Sequence, residues 1–206
     1  ISFASRTKSD VFARETARVC AANGIKVYIY KELMPVPCLS YAVRYYHTSM
    51  GVMVTASHNP AKYNGYKAYG PDGCQITDET ADEVLSNINA LNEFTDIKLM
   101  DFEEGVQKGL IEYIGDDCVE SFYQQVLKCS LNSDVVASSG FKIVYSPLNG
   151  AGNKPVREIL RRIGIKDEDL TVVPEQEYPD GNFPTCPYPN PEIRQALQKG
   201  LDLCIK

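Results

Sequence analysis

The segment Thr55-Ala56-Ser57-His58-Asn59-Pro60 sets a hydroxyl, an imidazole and a backbone-bending Asn-Pro pair side by side. A serine hydroxyl acts as a nucleophile when its surroundings help it lose a proton, and an imidazole is suited to that task near neutral pH. Neighbouring side chains of an extended backbone point to opposite sides, so direct transfer from Ser57 to His58 needs a bend, which Asn59-Pro60 supplies. Lys67, a few residues on, is a mobile cation able to hold a phosphate, or to exchange a proton if burial lowers its pKa. The same residue types also suit an ordinary loop, in which Ser57 caps a turn and His58 sits in solvent. The residues alone leave both readings open, the loop reading being the commoner.

A reactive loop needs a rigid element to carry it. Gly51 to Val54 reads as a short buried strand that empties directly into Thr55, and in open α/β sheets ligands gather at the carboxyl ends of strands. Residues 9–22 read as a helix, capped by Ser9 or Asp10 and ended by Asn23-Gly24. A strand is expected at 25–30 and a helix at 38–47, the latter containing His47, the second histidine. Asn64-Gly65 and Pro71-Asp72-Gly73 are turn signals that suggest a hairpin. Helices are expected at 78–92 and 116–129, and residues 130–140 read as a linker. Beyond it come a strand at 141–145, a helix at 155–163, a strand at 171–175, a Pro-rich loop, a helix at 191–199 and a last strand from Leu201. The alternation specifies an α/β chain with two units, 1–138 and 139–206.

Hydrophobic residues at 44% and charged ones at 23% exclude disorder, collagen and a whole-chain coiled coil. Lys plus Arg number 21 against 27 Asp plus Glu, and no basic tract is present, which argues against a nucleic-acid partner. No apolar run nears the roughly 20 residues of a membrane span, and no charged-then-apolar leader opens the chain. The seven Cys form no CxxC pair, which suggests a reducing cytoplasm. Both ends read as cut: Ile1 opens inside an apolar stretch, and the chain stops where a strand is expected to run. Small anionic substrates stay compatible with the acidic balance.

The run Gly51-Val-Met-Val-Thr-Ala-Ser57-His-Asn-Pro60, followed by Tyr63-Asn-Gly-Tyr-Lys67, resembles the active-site signature of the α-D-phosphohexomutases, in the form of their phosphoglucomutase branch. Ser5-Arg6 with Ser9 resembles the family's first Arg loop, and Lys31-Glu-Leu-Met-Pro35-Val-Pro37 its L-x-P-T-P segment. Tyr145-Ser-Pro-Leu-Asn-Gly150-Ala-Gly152, Pro179-Asp-Gly-Asn-Phe-Pro184 and Pro189-Asn-Pro-Glu192 resemble its second domain. Ala4 and Val36 depart from the family's usual Asp and Thr. The resemblance implies two consecutive α/β sandwich domains with mixed sheets, 1–138 carrying the phosphoserine loop and 139–206 incomplete. It implies Ser57 as a phosphoserine, Arg6 steadying the phosphoryl group, and Lys67 and His58 handling the sugar hydroxyl's proton. It further implies Mg²⁺ bound through the phosphate on Ser57, the remaining ligands lying in a D-x-D-x-D-R loop beyond the chain. The implied partners are sugar phosphates, with glucose 1,6-bisphosphate as activator and intermediate. Glucose 1- and 6-phosphates lead as substrates. Mannose, glucosamine or pentose phosphates, or a non-catalytic binding module of the same fold, are the alternatives.

Three further features read as structural. Asn149-Gly150-Ala151-Gly152 lacks the spacing of a dinucleotide or P-loop fingerprint and reads as a turn that lets a helix pack close. Tyr63, Tyr66 and Tyr69 read as cross-strand packing rather than sugar stacking. Asp101, Glu103 and Glu104 read as solvated surface rather than a metal site.

Overall fold

The computed structural model describes residues 1–205. Its first elements are β1 (Ser2–Phe3), α1 (Ser9–Ala22), β2 (Val27–Ile29), α2 (Val36–Tyr45), β3 (Gly51–Val54) and β4 (Tyr66–Tyr69). There follow α3 (Asp78–Asn89), α4 (Phe102–Gln107), β5 (Ile111–Tyr113), α5 (Asp116–Lys128) and α6 (Ser133–Ser138). The chain closes with β6 (Ile143–Tyr145), α7 (Asn153–Arg162), β7 (Leu170–Val172) and α8 (Arg194–Cys204).

Every residue of β3 is buried, because the strand is covered on both faces. Val52 and Val54 pack with Ala13, Ala17 and Ala21 of α1, whose small side chains let that helix lie close to the sheet. Met53 points the other way, onto Leu39 and Val43 of α2 and Tyr69 of β4. A strand buried on both sides reads as an unbroken apolar run, which is why residues 51–54 are legible at once. Gly51 is required by this packing, since a Cβ there would stand 2.5 Å from Val43 Cγ2.

β1 pairs with β3 in parallel, and β4 pairs with β3 antiparallel; β2 and β5 form a parallel pair. The Ile1 amino group donates to Tyr28 O at 2.6 Å and Tyr30 N to Ile1 O at 3.0 Å, which sets β2 beside β1. The strands thus run β4-β3-β1-β2-β5, a mixed arrangement with helices on both faces. In the second unit β6 pairs in parallel with β7, and α8 packs on β6. Arg162 of α7 reaches Glu120 of α5 with two 2.7 Å bonds and lies over the Tyr123 ring, tying α7 to α5.

Several expectations need correction. The stretch from Leu201 continues α8: Ala196, Lys199, Gly200 and Leu203 are its less exposed positions, a helical period. The expected mid-strand stop is therefore not found among the described residues. The linker at 130–140 contains α6, and α4 and β5 occupy a region given no element. α2 starts two residues early, because Pro37 is tolerated in a first helical turn. His47 lies past the end of that helix, at φ 52. α1 has no side-chain cap; Lys8 precedes it at φ 61, and Ser9 is buried in the first turn. Of the three tyrosines, Tyr69 packs across the strands, whereas Tyr63 and Tyr66 are exposed. Asp101, Glu103 and Glu104 need no correction, since all three are exposed: Asp101 caps α4 by accepting from Glu104 N, Glu103 pairs with Arg14, and Glu104 pairs with Lys108.

Candidate functional site

β3 ends at Val54, and the backbone then reverses through residues 55–65 to return as β4. Thr55 N donates to Gly65 O at 2.9 Å and closes the base of this loop. A Cβ on Gly65 would meet Thr55 O at 2.8 Å, so only glycine lets the two strands approach there. Ser57 adopts φ 55, a left-handed conformation that costs an L-residue roughly 1–2 kcal/mol. Its N–H donates to the buried Thr55 Oγ1 at 3.0 Å, which steadies the turn. The result is an exposed Ser57 hydroxyl at the tip of a bend, on the carboxyl end of a buried strand.

This bend also answers the geometric objection to a Ser57–His58 contact. Ser57 Oγ lies 3.4 Å from His58 Nδ1, a long but usable hydrogen bond. The turning point is Ser57 itself, so Asn59-Pro60 is not the source of the bend.

Arg6 is 4% exposed and sits beneath the loop. Its Nη2 donates to Ser57 O at 2.7 Å, and its Nη1 donates to Pro60 O at 2.9 Å and Tyr63 O at 3.5 Å. Burial pushes its pKa below the ordinary value, yet a guanidinium stays charged in a protein. Arg6 has no carboxylate partner among the described residues. Carbonyl oxygens of the loop anchor the guanidinium in this chain, which has Ala4 two residues before it. The Phe183 ring completes the surroundings, 4.6 Å from the guanidinium carbon.

Lys67 stands on β4 opposite Met53, on the α2 side of the sheet. It is half-buried, and its side chain has no ion pair or hydrogen bond among the described residues. The fold therefore brings Ser57, His58 and Arg6 into one loop cluster, with Lys67 on the adjoining strand. A cleft of about 360 Å³ opens from this loop toward the turn after β6, lined by Arg6, Ser57, Met53, Ser146, Gly150 and Phe183. Larger hollows of about 390 and 590 Å³, around Met50 and beside Phe12, are lined mainly by apolar groups.

Sequence reasoning gives no role to Asn64, Gly181 or Phe183. Asn64 Nδ2 donates to Thr7 O at 3.1 Å and Ser9 Oγ at 3.0 Å, tying the serine loop to the Arg6 loop. The Asn64-Gly65 pair signals a turn, but nothing in its spacing shows which distant backbone it will grip. The turn at 149–152 is structural: a Cβ on Gly152 would meet the Tyr145 hydroxyl at 2.8 Å.

Residues 1–94 match the phosphoglucomutase/phosphomannomutase alpha/beta/alpha domain I, and residues 120–206 match domain II of the same family. The chain belongs to the phosphoglucomutase/phosphomannomutase family. A phosphoglucomutase of Staphylococcus saprophyticus is 34% identical over 206 residues, covering all of this chain and 36% of that protein. A phosphoribomutase of Saccharomyces cerevisiae is 33% identical, covering 98% of this chain and 34% of that protein. The crystal structure of a phosphomannomutase-like protein from Thermus thermophilus superposes with a TM-score of 0.78 at 25% identity, covering 99% of this chain and 42% of that one. The chain thus spans little more than a third of the curated relatives it matches. No described helix is long and apolar enough to cross a membrane.

Phosphomutases of this family imply Mg²⁺, a cation that takes about six oxygen ligands. Ser57 could contribute oxygens through a phosphate. Among the described residues, however, no three His, Cys, Asp or Glu side chains converge. These residues do not fit a Mg²⁺ site of their own.

Proposed function

We propose that Ser57 is the phosphoryl carrier of a sugar-phosphate mutase of the phosphoglucomutase type, interconverting glucose 1-phosphate and glucose 6-phosphate. The observation that carries this reading is the exposed Ser57 hydroxyl, held in a left-handed turn over a buried Arg6. Phosphoryl transfer depends mainly on positioning and on neutralising spread charge. The loop supports the first through its hydrogen-bonded backbone, and the guanidinium brings a positive charge to the Ser57 carbonyl.

The phosphoserine P–Oγ bond breaks as a P–O bond forms to the free hydroxyl of the sugar monophosphate. The hydroxyl proton passes to a base, and the sugar leaves the step as a 1,6-bisphosphate. The bisphosphate turns over and returns its other phosphoryl group to Ser57 Oγ, so that no net phosphate is gained or lost. Lys67, a cation without an ion pair on the adjoining strand, is the proposed acid and base. His58, 3.4 Å from Ser57 Oγ, is its proposed helper at the serine. The bound partners are sugar phosphates, with glucose 1,6-bisphosphate as the intermediate, and the proposed compartment is the cytoplasm, which suits seven unpaired thiols.

Ser57→Ala in the natural full-length protein tests this reading. The variant is expected to lose turnover by orders of magnitude while keeping its fold and melting behaviour. A substantial residual rate would remove the proposal. The same assay run with mannose, glucosamine and ribose phosphates decides the sugar, the last because of the phosphoribomutase relative.

A further inference from the structure

We infer that Phe183 is a positioning residue for Ser57, acting through Arg6, so that the second unit of the chain sets the geometry of the serine loop. This rests on the reading of Ser57 as the phosphoryl carrier. Arg6 holds carbonyls from residues 57, 60 and 63, so wherever its guanidinium sits, the loop sits. Those carbonyls accept from the guanidinium N–H groups, and the guanidinium carbon lies over the Phe183 ring, 4.6 Å from its centroid. A buried cation without a carboxylate gains from an aromatic face that also excludes water.

The ring is held where it is by a built loop. Phe183 is 4% exposed and has φ 47, a conformation that a bulky side chain rarely adopts. Phe183 N donates to Asp180 O at 3.2 Å, and Asp180 N donates to Asn149 O at 3.0 Å. Asn149 Nδ2 in turn donates to Tyr178 O at 2.8 Å, which fixes the loop to the turn after β6. Two residues before the ring, Gly181 lies against Arg6's own neighbours: a Cβ there would meet Ser5 O at 2.6 Å and Thr7 N at 2.7 Å. The second unit is therefore seated on both sides of Arg6. A displacement of that unit would carry the guanidinium away from the three carbonyls and release the serine turn.

Amide hydrogen exchange on this chain, with the Arg6 Nε–H resonance followed by NMR, tests the coupling. Phe183→Leu keeps the apolar bulk but removes the ring. It is expected to raise exchange at Ser57, Asn59 and Tyr63 by at least about tenfold, with β3 and α1 unchanged. It should also shift the Arg6 Nε–H signal by removing the ring current, and Phe183→Tyr should restore both readouts. Gly181→Ala gives a second, independent displacement and is expected to loosen the same amides. Exchange within about twofold of the parent in both variants would overturn the inference. Neither readout depends on phosphate. A Ser57 that never carries a phosphoryl group would therefore defeat the proposed function without touching this result.

Discussion

At the scale of single residues, the site is decided by charges that have no opposite charge beside them. Arg6 is buried among carbonyls, and Lys67 is half-buried without an ion pair among the described residues. An unpaired cation beside a cleft is suited to an anionic ligand, because binding costs no existing salt bridge. Lys67→Met is expected to lower kcat by roughly 10²–10⁴-fold, the usual worth of a general acid or base, with a smaller change in KM. Steady-state kinetics on the full-length protein check this; an unchanged kcat with a raised KM would make Lys67 a binding residue only. By contrast, burial pushes the Cys38 and Cys118 thiols up to about 12 and about 11, so both stay protonated near neutral pH and act as core atoms. Ser57 and its neighbours are legible in the sequence because their spacing is local. The grip of Arg6 is not, because its acceptors are backbone carbonyls more than fifty residues away that carry no side-chain signature.

At the scale of elements, legibility follows periodicity and length. α1 shows alanines at every fourth position and an Asn-Gly stop, and β3 is an unbroken apolar run, so both can be read directly. The end of the last helix, from Leu201 on, reads wrongly as a strand because Leu201, Leu203 and Ile205 alternate over a few residues, whereas the helical period needs the whole window from Ala196. α4 is hidden by its acidic first turn, although Phe102 and Gly105 face the core. The helices α5 and α7 meet through Glu120, Arg162 and Glu158. Hydrogen bonds from Arg162 and Gln124 hold the Glu120 carboxyl down at about 2, and bonds from Arg161 and Arg162 do the same for Glu158. A carboxyl whose folded pKa is depressed adds stability above its unfolded pKa of about 4.3 and loses it as pH falls toward the folded value. The α5–α7 junction is therefore expected to loosen between about pH 4.3 and about pH 2. Carboxyl NMR titration of Glu120 checks the value. Loss of this acid sensitivity in Glu120→Gln is the companion result, and an ordinary titration near pH 4 would contradict it.

At the scale of the whole molecule, the chain carries the serine loop, its clamp and the second unit that presses on the clamp. It spans little more than a third of its curated relatives. Its described residues gather no set of three metal-binding side chains. Phosphoryl transfer without strong charge neutralisation is slow. The 206 residues alone are accordingly expected to show no sustained conversion of glucose 1-phosphate in a coupled assay with Mg²⁺ and glucose 1,6-bisphosphate. Turnover near that of the full-length protein would mean that the needed groups lie within this chain after all. The central claim, that Ser57 carries the phosphoryl group, is tested most directly by intact-mass analysis of the full-length protein, with the modified residue located by peptide sequencing. The account predicts one phosphoryl group on Ser57 after exposure to glucose 1,6-bisphosphate, its removal by excess glucose monophosphate, and none in Ser57→Ala. A catalytically competent protein whose Ser57 is never phosphorylated, or whose phosphate persists in Ser57→Ala, would contradict it.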